Sequence, residues 1–165
     1  MLIRTIFTGL FLCIPITFSH AVGQPYTASH DDRVALNDIE IYFSVKTSSN
    51  GMIAPTIRIT NITTTPIIIA APDARLSIAF IVLDSLGNLV LPTGRAKADP
   101  KTQSIGIEPH KSIEYKWDKL EFVSGSALFG YDLVPGNTYR ILAIYRPNGP
   151  QGDGICSREI IVTVK

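Results

Sequence analysis

LVPGNTYRILAIY, residues Leu133 to Tyr145, carries a turn and a strand in thirteen residues. Pro135 and Gly136 are the turn: proline fixes one φ near −65° and glycine takes the positive φ that other residues resist. After them Tyr139, Ile141, Ala143 and Tyr145 fall on one side of an extended chain, the period-two pattern of a strand. Leu142 and Ile144, on the opposite side, are also apolar, so this strand belongs in the middle of a sheet.

The same grammar runs outward in both directions. Ile39, Ile41, Phe43 and Val45 share one face of a first strand, with Glu40, Tyr42 and Ser44 on the other. Further strands are predicted at Thr56–Ile62, Pro66–Ala70, Leu76–Asp84, Asn88–Leu91, Lys111–Trp117, Leu128–Leu133, Thr138–Arg146 and Arg158–Val164. Asp84-Ser85-Leu86-Gly87-Asn88 supplies a hairpin turn. No segment has a helical period. The pattern predicts an all-β chain folded as a single antiparallel Greek-key β-sandwich over residues 38–165. Trp117, in phase with Ile113 and Tyr115, is expected in its core.

The Leu-x-Pro-Gly-x-x-Tyr sequence from Leu133 to Tyr139 resembles the corner of fibronectin type III and other immunoglobulin-like sandwiches. The resemblance implies that Pro135-Gly136 turns the chain between sheets. It also implies that the Tyr139 hydroxyl bonds back to the backbone a few residues upstream. A buried phenol needs a partner, and a crossing connection has a spare carbonyl to offer. The wider run, IRITNITTTPI, FIVLDSLGNLV and IEPHKSIEYKW before the corner, is similar to small bacterial envelope sandwiches that include the bacillar proteinase-inhibitor family. That similarity implies binding or inhibition rather than catalysis. The chain departs from it in its secretion signal, in a 12-residue loop inserted from Pro92 to Gln103 and in carrying no strong inhibitory motif.

At the other end, Arg4, the apolar stretch from Ile6 to Phe18 and Ser19-His20-Ala21 read as a signal peptide over residues 1–21, cleaved after Ala21. A lipoprotein reading would acylate Cys13, but Leu12 stands where a small residue is required. Val22 to Asn37 reads as a polar leader. The expected location is therefore secreted or periplasmic. The stretch before Ala21 is too short and too interrupted to span a bilayer, and no integral membrane span is expected in the mature chain. Cleavage removes one of 15 basic residues and none of the 14 acidic ones, leaving a formal charge of zero and no basis for a nucleic-acid partner. One cysteine, Cys156, then remains. It cannot form an internal disulfide, so packing must hold the fold, and it is expected as a small buried hydrophobe.

Catalytic constellations are missing. The mature chain holds two histidines, His30 and His110, without HExxH or paired-cysteine spacing, so neither a metal nor a cofactor is expected. There is no GxSxG elbow, and Ser126 in VSGSALFG lacks a base. Glu108, Glu114, Asp118 and Glu121 read as solvated strand ends rather than a glycosidase pair. Gly149, Gly152 and Gly154 stand between two strands and lack the Lys-Ser/Thr ending of a phosphate loop. Asn61-Ile62-Thr63 fits the glycosylation sequon.

What remains is contact with a protein of the envelope or exterior. Asn148, Gln151 and Asp153 in the last hairpin and Arg95, Lys97 and Lys101 in the Pro92–Gln103 stretch are the candidate contacts, with an exposed loop acting on a hydrolase as the second reading. An enzyme on a sandwich scaffold is the third. The doubly apolar strands Leu76–Asp84 and Thr138–Arg146 raise a further expectation: their outer side is either covered by another segment or is itself a contact surface.

Overall fold

A computed structural model describes residues 33–36, 38–47, 52–72, 75–99 and 101–165. The predicted signal peptide, its cleavage site and most of the leader lie outside the described residues. Thirteen strands and no α-helix make up the described chain: β1 (Arg33–Leu36), β2 (Ile39–Thr47), β3 (Ile53–Asn61), β4 (Ile67–Ala70), β5 (Ile78–Leu83), β6 (Thr93–Lys97), β7 (Ser104–Ile107), β8 (Ser112–Lys116), β9 (Glu121–Ser124), β10 (Ala127–Gly130), β11 (Thr138–Tyr145), β12 (Ile155–Cys156) and β13 (Ile160–Thr163). Every pairing is antiparallel. The chain is all-β, as its alternation required. No described helix is long and apolar enough to cross a membrane.

Two four-stranded sheets make the body. One runs β1-β2-β3-β8; in the other, β11 pairs β5 on one side and β12 and β13 on the other. Ile41, Phe43, Ile57 and Ile59 from the first sheet and Phe80, Val82, Ile141 and Tyr145 from the second are buried together, and the Phe43 and Phe80 rings meet at 5.9 Å. Two smaller sheets, β6-β10-β9 and β4-β7, complete the structure. Trp117 is buried and stacks on Tyr115 at 6.3 Å, in the core position its phase indicated.

The corner forms. Gly136 takes φ +84°, and the Val134 N–H donates to the Tyr139 hydroxyl at 2.9 Å. The tyrosine thus accepts from an amide instead of donating to the carbonyl expected of it. The Gly136 N–H donates to the Val164 carbonyl and the Val164 N–H to the Asn137 carbonyl, which ties the corner to the end of β13. The predicted hairpin forms as well: Gly87 has φ +87°, and the Asp84 carboxylate accepts from the Leu86 and Asn88 amides. Beyond it only a single bridge, Leu83 to Leu89, stands where a strand Asn88–Leu91 was expected.

Three expectations need correction. The segment read as a leader up to Asn37 contributes β1, whose four residues extend the sheet beside β2. Pro92–Gln103, read as a loop, contains β6 paired to β10. All five β6 residues are exposed, so backbone bonding and not burial makes it a strand. Cys156 is half-buried rather than buried, because β12 pairs with the end of β11 at the margin of its sheet.

Candidate functional site

The six residues proposed for partner contact separate into two groups. The hairpin β11–β12 closes with Tyr145 opposite Ile155, and Gly149 at φ +87° turns its loop. Asn148, Gln151 and Asp153 are exposed on it. The root of this loop is firmly held. The Ala70 N–H donates to the Pro147 carbonyl at 2.7 Å, and the Tyr145 hydroxyl donates to the Ala70 carbonyl at 2.7 Å. Burial pushes the Tyr145 phenol well above the ordinary tyrosine range, which keeps that donor protonated. The next amide, Ala71 N–H, donates to the Gln103 carbonyl at 2.8 Å. Adjacent residues of one segment therefore clip together the two long loops, and a Cβ on Gly149 would stand 4.0 Å from Thr102. Exposed Lys101 is next to that junction in the chain.

Arg95 and Lys97 do not join this cluster, since both lie on β6. Lys97 is exposed opposite Ala127. Arg95 bonds the Asp132 carboxylate at 2.6 Å, which holds Asp132 below the usual carboxylate range, with Thr93 adding to the effect. Arg95 is exposed on β6 and carries this ion pair. It rims an open groove of about 730 Å³ at the corner end of the molecule, floored by Ile53, Leu120 and Val164. The charges around that groove are largely mutual, Arg95 with Asp132 and Arg75 with Glu121.

The outer faces of the two main sheets differ in kind. On β3 and β8, Arg58 stands opposite Glu114 and bonds it at 2.8 Å, Lys116 reaches the same carboxylate, and Thr60 meets Ser112. The Lys116 and Arg58 bonds hold the Glu114 carboxyl below its ordinary range. This is a solvated sheet face with cross-strand polar pairs.

The outer face of β5-β11-β13 has another composition. One row across it reads Ile161, Arg140, Leu83 and Leu89, and Leu142 pairs with Ile81 in the next. The Val90 N–H donates to the Val82 carbonyl, and that register carries Leu91 toward Ile81. Leu91 is 73% exposed, Leu89 and Ile161 58% each, and Leu86 at the adjoining turn 86%. Arg140 and Glu159, 3.6 Å apart, are the charged pair recorded on this face. The doubly apolar strands left this side either covered or a contact surface, and of their residues on it Leu142, Ile81 and Leu83 are half-buried. Leu89, Leu91 and Ile161 were missed, although the runs Leu89-Val90-Leu91 and Ile160-Ile161-Val162 carried the signal. Ile144, placed with Leu142 in that reading, is buried, with Gly154 in close approach to it.

The sequon asparagine is structural. Asn61 is fully buried, donating to the Thr65 and Ile107 carbonyls and accepting from the Thr63 amide and hydroxyl. A glycan on its amide has no room in the folded protein. Among the described residues no three His, Cys, Asp or Glu side chains gather as a metal site requires.

No known family profile matches the chain, and no curated protein does. Among solved structures, the fold is similar to part of the crystal structure of Bacteroides uniformis beta-glucuronidase, at 10% identity and a TM-score of 0.37, covering 75% of this chain. The matched region is 13% of that chain's length.

Proposed function

We propose that the chain is a non-enzymatic binding or assembly module of the cell envelope or exterior, immunoglobulin-like in topology and exported by its amino-terminal signal. The observation that carries this reading is the contrast between the two outer sheet faces. One is laced with polar cross-strand pairs, while the other exposes Ile161, Leu89 and Leu91 around half-buried Leu83, Leu142 and Ile81. Sizeable exposed apolar patches on soluble proteins mark contact surfaces. The signal-peptide pattern supports export, and the Tyr139 corner supports the immunoglobulin-like topology.

A second reading, a secreted hydrolase inhibitor, is favoured by the clipped loops. A loop presented to a cleft must keep its shape before binding, and the Ala70–Ala71 bonds to Pro147 and Gln103 supply that restraint.

The two readings separate in one experiment. The chain is used to capture proteins from its native envelope fraction in three forms: wild type, Leu89→Asp with Ile161→Asp, and a variant with residues 148–153 replaced by Asn-Gly. Loss of the captured protein only with the double aspartate variant supports the apolar face. Loss only with the loop replacement supports the inhibitor reading, and capture unchanged in both variants refutes both.

A further inference from the structure

We propose that Asn148 is a site of spontaneous deamidation, and that the clip at the root of its loop decides when the reaction runs. The inference is independent of what the loop touches.

The chemistry belongs to the pair Asn148-Gly149. The Gly149 nitrogen gives up its proton and bonds to the side-chain carbonyl carbon of Asn148, whose bond to Nδ2 breaks to release ammonia. Water then opens the resulting cyclic imide at either carbonyl and leaves aspartate or isoaspartate. The balance is one water taken up and one ammonia released. Glycine hinders this attack least, because no Cβ shields its nitrogen. Water is the sole co-reactant, and Asn148 is exposed to it.

The folded loop keeps these atoms from reacting. The Gly149 N–H donates to the Arg146 carbonyl at 3.1 Å, so the proton that must leave is engaged, and Gly149 itself is buried. The Gly149 carbonyl accepts from the Gly152 N–H at 3.0 Å, and a Cβ on Gly152 would stand only 2.8 Å from the Asn148 Cβ, so the loop closes tightly around Asn148. The start of the turn is tethered as well. The Arg146 N–H donates to the Ser77 carbonyl and the Pro147 carbonyl accepts from the Ala70 N–H, both at 2.7 Å. Ring closure must bring the Gly149 nitrogen onto the Asn148 side chain, which requires it to leave the bond to Arg146. The reaction therefore waits for local opening, and its rate follows the open population. Ala70 is the fastening: its amide holds Pro147 while its carbonyl accepts from the Tyr145 hydroxyl at 2.7 Å. Conversion adds a negative charge to a loop that already exposes Asp153, and isoaspartate adds a carbon to the main chain of the turn.

The test follows conversion in the full chain by peptide mapping and mass, which separates Asn148 from the same dipeptide at Asn50-Gly51. Four samples are incubated in mildly alkaline buffer: folded wild type, wild type unfolded in urea, Tyr145→Phe and Tyr139→Phe. Thermal melts establish that both variants are folded. Asn148 is expected to convert about tenfold or more slowly in the folded wild type than in urea, the equivalent of about 1.4 kcal/mol. Tyr145→Phe frees the Ala70 carbonyl and speeds conversion by about fivefold or more, the equivalent of about 1 kcal/mol. Tyr139→Phe removes a tyrosine hydrogen bond at the other end of β11 and leaves the rate unchanged. Equal rates in folded and unfolded wild type overturn the proposal, as does an Asn148 that fails to convert even in urea. So does a rate indifferent to Tyr145→Phe, or one raised as much by Tyr139→Phe, since opening would then be global. Hydrogen exchange of the Gly149 amide in the wild type reads the same opening without a substitution, and an unprotected amide there refutes the clip.

Discussion

Replacing Asn61 by aspartate changes one amide nitrogen to oxygen and should make folding stability depend steeply on pH. Asn61 is fully buried, and its Nδ2 donates to the Thr65 carbonyl at 2.8 Å and the Ile107 carbonyl at 3.0 Å. Its Oδ1 accepts from the Thr63 amide at 2.9 Å and hydroxyl at 2.8 Å. A carboxylate keeps the accepting side and turns the donating side into an oxygen facing two carbonyl oxygens. Two lost donations, each about 1 to 3 kcal/mol when a buried group is left unmatched, predict a loss of about 2 to 6 kcal/mol at neutral pH. Protonation restores one O–H donor and with it about half of the loss. The new carboxyl therefore has a folded-state pKa above the unfolded value of about 3.9. The sign follows: the penalty is smallest below about pH 3.9, grows as pH rises through that value, and levels off above the raised folded-state pKa. Urea unfolding of wild type and variant at matched pH values from 3.5 to 7 measures the difference. A loss equal at both ends of that range would refute the hydrogen-bond assignment, as would a loss below about 1 kcal/mol at pH 7.

Two further outcomes test the corner and the hairpin. Tyr139→Phe keeps the ring and removes the acceptor of the Val134 N–H, for a loss of about 1 to 3 kcal/mol in denaturant unfolding; no measurable change would mean the corner bond contributes nothing. Asp84 is held below its ordinary value of 3.8 by bonds from the Asn88 side chain and amide and from the Leu86 and Gly87 amides. Its support of the hairpin is present above that value and is lost as pH falls through the depressed one. The stability gap between wild type and Asp84→Asn should therefore narrow below about pH 4, and a gap independent of pH would contradict it.

The parts of the fold legible in the sequence are those whose strands bury one face. β2 announced itself because Ile39, Ile41 and Phe43 enter the core, and β11 because Tyr139, Ile141 and Ala143 do. β6 gave no such signal: Thr93-Gly94-Arg95-Ala96-Lys97 is exposed at every residue and is a strand only through its ladder to β10. β9 was hidden for a different reason. Glu121 and Phe122 are half-buried and only Val123 enters the core, so four residues offer too little alternation to separate from a loop. The interruption between β12 and β13 was equally silent. Cys156 pairs with Ile144 and Ile160 with Ile141, one residue more on the second strand than on β11. Ser157 fills the gap, its hydroxyl accepting from the Ala143 amide, and a serine before Arg158 does not declare that role in a sequence. For the candidate contacts, chemical type placed Asn148, Gln151, Asp153 and Lys101 on the surface correctly. Only the backbone clip through Ala70 and Ala71 could show that the loop of Asn148, Gln151 and Asp153 is tied to the Thr102–Gln103 segment, while Arg95 and Lys97 lie on β6.

Asn61, Ser77 and Ser157 are the buried polar residues of the described chain, and each is engaged with backbone: Asn61 at the turn after β3, Ser77 on the Ala71 carbonyl, Ser157 in the β12–β13 interruption. Three tyrosine hydroxyls follow the same rule. Tyr139 accepts from Val134, Tyr145 donates to Ala70, and Tyr131 donates to Phe80 with its phenol pushed up to about 12 by burial. Here the burial is spent on joining segments that cross between sheets, which stabilises the sandwich and commits those groups to the backbone. Outside the core, the described surface carries a polar pair of clipped loops at one end, an open groove at the corner end and an apolar sheet face on one side. Discrimination between them is therefore a matter of surface substitution, and variants such as Leu89→Asp with Ile161→Asp can be read without disturbing the core.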